Sequence, residues 1–97
     1  MARRPAAEAR YSYLVEHYRP GLDVEQLRHS VSRVRDTVVD MEREGTSIRH
    51  LRFTIVPVDE SFLCLIEAAS EQLVREAHAR AGVPFERISL ALSDGAD

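Results

Sequence analysis

Four residues of this chain have metal-ligand chemistry at positions where a fold could gather them: Glu16, His50, Glu67 and His78. Carboxylate oxygens are hard donors and imidazole nitrogens borderline ones, a mixture suited to divalent first-row transition metals. Glu67 closes the apolar run Phe62-Leu63-Cys64-Leu65-Ile66, and His78 follows in Val74-Arg75-Glu76-Ala77-His78-Ala79-Arg80-Ala81-Gly82-Val83-Pro84. Other catalytic patterns are missing. The sequence has no Gly-rich phosphate loop, no nucleophile elbow, no Cys-x-x-Cys and no His-Glu-x-x-His. Its one cysteine, Cys64, has no flanking cation or helix start to activate it. An enzyme using Glu and His as acid and base is therefore the less favoured reading.

The elements that must position these groups follow from periodicity. Residues 1–10 read as a disordered tail and Tyr11–Tyr18 as a first strand. Pro20-Gly21 makes a turn. Asp23, with Gln26 three residues on, matches a capping box. Val24, Leu27, Val31, Val34, Val38 and Met41 then trace one apolar helical stripe, which Gly45 ends. A second strand spans Ile48–Val56, where Leu51, Phe53 and Ile55 alternate with His50, Arg52 and Thr54. Pro57-Val58-Asp59-Glu60 is a hairpin connection, and Phe62–Glu67 a third strand. Ser70 caps a second helix with Leu73, Val74, Ala77 and Ala81 inward, and Gly82 and Pro84 stop it. Phe85–Leu92 is the last strand and residues 93–97 a tail. The order β-α-β-β-α-β in one domain over 11–92 predicts an α+β, ferredoxin-like sandwich: a four-stranded antiparallel sheet with two helices on one face. The other face is left open, and such faces often close against a second copy.

Strand parity gives the expected convergence. With Leu51, Phe53 and Ile55 toward the helices, His50, Arg52 and Thr54 lie on the open face. A two-residue turn at Val58-Asp59 pairs Pro57 with Glu60 and so sets His50 opposite Glu67, with Cβ atoms about 5 Å apart. One more loop residue would pair His50 with Cys64 instead. Leu14 and Glu16 share that face, while Tyr13 and Val15 point to the core. His78 stands on a helix across the sheet, so it reaches the others only at the sheet's edge or from a second subunit. Each residue also has a plainer use. His50 with Glu67 makes an ordinary cross-strand pair, Glu16 a salt bridge to Arg52, and His78 a packed or capping histidine. His29 belongs on a solvated helix face. His17 points away from Glu16, near the turn, as a structural or exposed residue. Cys64 is a small core hydrophobe.

Composition narrows the classes further. A net charge of -3 and 6% aromatic residues argue against a nucleic-acid platform. All 13 basic residues are arginine, spread along the chain rather than clustered. The 44% hydrophobic content is ordinary for a soluble globule, no apolar run approaches the ~18 residues of a membrane span, and no signal peptide is visible. A single cysteine excludes an internal disulfide and fits a reducing cytoplasm.

Three segments carry a resemblance: Tyr13-Leu14-Val15-Glu16-His17 with Pro20-Gly21; Phe62-Leu63-Cys64-Leu65-Ile66-Glu67-Ala68; and Val74 through Phe85 followed by Arg87-Ile88. Over about Tyr11 to Leu92 the chain resembles a bacterial family of small ferredoxin-like proteins, formerly of unknown function and named for a nickel-binding member. The resemblance implies the ferredoxin-like fold, a homodimer closed through the open sheet face, and binding of Ni²⁺. By position Glu16, His50, Glu67 and His78 match recurrent polar sites of that family. The expectation is a cytoplasmic, homodimeric binding protein for a divalent transition metal. The competing expectation is a dimer that holds a small organic ligand, or docks a partner, on the open face where Leu14, Leu63 and Leu65 meet Glu16 and Arg52.

Overall fold

The two helices begin where their capping residues say they should. In the computed structural model, which describes residues 10–92, helix α1 spans Val24–Arg43 behind the Asp23 cap. The Asp23 carboxylate accepts from the Gln26 amide, and the Gln26 side chain accepts from the Asp23 amide. Helix α2 spans Glu71–Ala81, and the Ser70 hydroxyl accepts from the Leu73 amide at its start. Gly82 ends α2 at φ 71°, a left-handed conformation that a Cβ would strain. Around the helices run strands β1 (Tyr11–Tyr18), β2 (Ile48–Val56), β3 (Ser61–Ala68) and β4 (Arg87–Ala91). The tails expected at 1–10 and 93–97 lie, apart from Arg10, outside the described residues. Among the described residues no helix is long and apolar enough to cross a membrane.

The sheet order is β2-β3-β1-β4 with every neighbour antiparallel, so the expected ferredoxin-like α+β fold is the observed one. Both helices lie on one face, and the core fills the space between. From β1 come Tyr13 and Val15, from β3 Phe62, Cys64, Ile66 and Ala68, and from α1 Leu27, Val31, Val34, Val38 and Met41. Helix α2 adds Val74, Ala77 and Ala81. Cys64 is fully buried, which pushes its thiol up to about 12, as befits a core hydrophobe.

The β2–β3 hairpin departs from expectation at one point. Val56 pairs with Ser61, Phe53 with Cys64 and Arg52 with Leu65, the register expected from the turn. Between Arg52 and His50 the register slips by one residue, a β-bulge at Leu51. Beyond it Arg49, not His50, stands opposite Glu67, while His50 pairs with Ile66. Because successive strand residues alternate faces, the slip turns His50 from the open face to the helix side. The expected His50–Glu67 pairing is therefore corrected by this one extra residue.

Candidate metal centre

The sheet divides the four expected donors, with Glu16 and Glu67 on its open face and His50 and His78 on its helix side. Glu16 lies on the open face and accepts a hydrogen bond from Arg87 Nε at 2.9 Å, so its partner is Arg87 on β4 and not Arg52. Glu67 is on the same face, ion-paired to Arg10 at 3.2 Å. Glu67 sits opposite Ser12, four residues along β1 from Glu16, or about 13 Å at strand spacing. One ion cannot be held by both within one chain. His50 is on the helix side with its Nε2 buried and without a hydrogen-bond partner. Burial, with smaller contributions from Arg35 and His78, lowers its pKa to about 4, so it is neutral at physiological pH. Among the described residues no group of three or more His, Cys, Asp or Glu is arranged to hold a metal ion.

His78 instead meets a residue that was not expected to be functional. It is buried to 2% exposure, and His17 to 1%. The two Nε2 atoms face each other at 2.9 Å. Each ring is fixed from behind. His17 Nδ1 donates to the Phe62 carbonyl at 3.1 Å, and His78 Nδ1 donates to the Val74 carbonyl at 2.9 Å. His17 also stacks on Phe62, with ring centroids 4.0 Å apart, and His78 meets the Phe85 ring edge-on at 5.3 Å. Local sequence explains the placement. Tyr13, Val15 and His17 alternate along β1 toward the helices, and His78 lies one turn after Val74 on the buried face of α2.

Counting protons shows what the pair lacks. Three polar contacts run in series: Phe62 O to Nδ1, Nε2 to Nε2, and Nδ1 to Val74 O. Each needs one hydrogen, and two neutral imidazoles supply two. With both Nδ1 protons spent on carbonyls, two Nε2 lone pairs confront each other. Moving one proton to Nε2 only shifts the conflict to a carbonyl. A third proton would resolve it, but burial opposes the charge. Desolvation, and then the neighbouring His78, lower His17 to about 3, and desolvation lowers His78 as well. A cation that accepts both lone pairs would resolve it as well. Imidazoles that donate Nδ1–H to a carbonyl and present Nε2 are the usual form of a metal-ligating histidine, so the donor set fits a borderline transition metal.

Each of the two residues borders a hollow. His17 lines a cavity of ≈ 280 Å³ whose wall also carries Glu16, Asp59 and Glu86. His78 lines a shallower one of ≈ 460 Å³ with Arg75, Val83 and Phe85. Three carboxylates about the first opening favour cations, although Arg87 offsets part of the charge of Glu16.

A ferredoxin-like sandwich enclosing a buried imidazole pair is the class that fold and site define. The chain matches the family described as "Nickel responsive protein SCO4226-like" over residues 13–90, and it belongs to that family. Among solved structures it is similar to SCO4226 from Streptomyces coelicolor A3(2), with a TM-score of 0.65 and 22% identity. The likeness covers 86% of this chain and 99% of that one. At that identity it speaks for the fold. No curated protein matches the chain.

Proposed function

We propose that this protein binds a divalent transition metal, nickel first among them, with His17 and His78 as its nitrogen donors. The observation that carries the reading is the face-to-face pair of Nε2 atoms at 2.9 Å with both Nδ1 protons already committed. The family description, which speaks of a nickel response, supplies the metal. His78 keeps the role expected for it, and His17, whose Nε2 faces that of His78, takes the place expected for His50. Glu16, on the cavity that His17 also lines, is the nearest of the expected carboxylates. Glu67, tied to Arg10 at the other end of the face, stands outside the centre. Water would have to supply the remaining coordination positions.

The protein acts as a homodimer in this reading. The half-buried Leu14, Leu63 and Leu65 form an apolar strip on the open face, bordered by the Glu16–Arg87 and Glu67–Arg10 pairs. Such a strip supports closure against a second copy.

The test is a calorimetric titration of metal-stripped protein with Ni²⁺ at about pH 7.5, where unburied histidines are neutral. Binding near one ion per chain at about micromolar affinity or tighter, lost in His78→Ala and kept in Glu67→Ala, is the expected result. Absence of binding, or binding indifferent to His78→Ala, overturns the reading.

A further inference from the structure

The open face of the sheet holds more positive charge than its own carboxylates answer. Glu16 is met by Arg87 and Glu67 by Arg10. Arg49 and Arg52 also belong to this face, because their cross-strand partners Glu67 and Leu65 do. Both are exposed, and among the described residues neither has a carboxylate within ion-pair distance. The bulge creates this arrangement. Unbroken alternation would send positions 49 and 52 to opposite faces, and the extra residue at Leu51 brings them to the same one. At this end of the face the guanidiniums of Arg10, Arg49 and Arg52 stand against the one carboxylate of Glu67, in a chain whose net charge is -3.

Beside Arg52 the face is hollowed. A cavity of ≈ 210 Å³ is lined by Arg52 and Thr54 of β2, Leu63 and Leu65 of β3 and Leu14 of β1. Arg52, Leu65 and Leu14 form one row across three neighbouring strands, about 10 Å from end to end at the usual strand spacing. The row is thus a cation at the sheet's edge followed by half-buried apolar side chains. We infer that this hollow binds a small monocarboxylate with an apolar body, its carboxylate on Arg52 and its hydrocarbon over Leu14, Leu63 and Leu65. A guanidinium meets a carboxylate through two parallel N–H···O bonds, and the Thr54 hydroxyl offers a further donor. The leucines reward burial of hydrocarbon. A second copy closing on this face by two-fold symmetry would seal the hollow without supplying the counter-charge. It brings the same arginines, and its Glu16 and Glu67 are already paired. The hollow lies across the sheet from the imidazole pair, so the two sites stand or fall separately.

Octanoate is the probe. Octanol presents the same body without the charge, and acetate the charge without the body. The full chain, with its leucine methyls labelled for NMR, is titrated with each. Octanoate should shift the methyls of Leu14, Leu63 and Leu65 with a dissociation constant on the order of 0.1–1 mM. Octanol and acetate should each bind at least about tenfold more weakly. Arg52→Gln should weaken octanoate about tenfold or more, Arg49→Gln by less, and Arg28→Gln, at an exposed position of α1, not at all. Octanol binding as tightly as octanoate, or octanoate binding indifferent to Arg52→Gln, would overturn the inference. If the leucine methyls stay still and Arg52→Gln instead weakens self-association, the face belongs to the second copy alone and the inference fails.

Discussion

The two faces of this sheet use polar residues in opposite ways. On the open face Glu16 and Glu67 are each answered by an arginine, Arg87 and Arg10, at 2.9 and 3.2 Å, and remain part-exposed. On the helix side His17 and His78 are buried to within 2% of their surface and have only each other and two carbonyls. The open-face carboxylates are charged, solvated and satisfied, so they give little stability and have little need of a ligand. The helix-side imidazoles are neutral, desolvated and one proton short. A polar donor thus becomes inert or receptive according to what lies behind it.

The largest test of that contrast sets two adjacent residues of β3 against each other. Phe62 has no exposed surface and stacks under His17. Phe62→Ala should lower stability by about 3–5 kcal/mol, by loss of burial and a cavity, and should weaken Ni²⁺ binding as the ring loses its floor. Leu63→Ala, on the open face, should cost less than half as much, and it should weaken self-association in sedimentation experiments. Equal costs in chemical denaturation would erase the distinction between the faces.

Next in size is the metal itself. Ni²⁺ at one hundred times its dissociation constant should stabilise the fold by about 2.7 kcal/mol, which for a domain of this size raises Tm by roughly 10–20 °C. Chelation should remove the whole shift. In His17→Gln the rise should vanish, whereas in Glu67→Ala it should persist.

An effect graded with pH comes from acid. His17 and His50 have folded pKa values lowered to about 3 and about 4, while in the unfolded chain both titrate near 6.5. Above that pH neither state binds the proton, and the contribution to stability is complete. As pH falls from about 6.5 toward 4 the unfolded chain takes up protons that the folded chain refuses, so stability declines by up to about 1.4 kcal/mol per pH unit for each histidine. In metal-free protein His50→Leu should flatten that decline by one histidine's share. At neutral pH it should be neutral or stabilising by about 1 kcal/mol, because it removes the unpartnered Nε2. A loss of more than this would mean that His50 has a polar partner in solution. Glu16→Ala should be the mildest change, within about 0.5 kcal/mol in a denaturation curve, since it breaks only a part-exposed ion pair.

The fold was legible because its signals are local. The capping box at Asp23, the Ser70 cap, the Gly82 stop and the alternation of β3 each settle a boundary within a few residues. The hairpin register was readable as far as Arg52. What hid the bulge was the apparent regularity of Leu51, Phe53 and Ile55. The clue was Ile48, which is fully buried and three residues before Leu51, a spacing that unbroken alternation does not allow. Parity counted from Ile48 puts His50 on the helix side. His17 shares a parity with Tyr13 and Val15, which already aims it at the core. Its position at a strand end made it read as structural or exposed, and its partner lies 61 residues away. A pairing that depends on how α2 packs across the sheet leaves no trace in spacing.

The most direct measurement is histidine ring NMR of the full chain during stepwise addition of Ni²⁺, whose unpaired electrons broaden nuclei close to the ion. The account predicts that the ring signals of His17 and His78 disappear together at substoichiometric metal, while those of the exposed His29 remain. Early broadening of His29 with the His17 and His78 rings left sharp would contradict it.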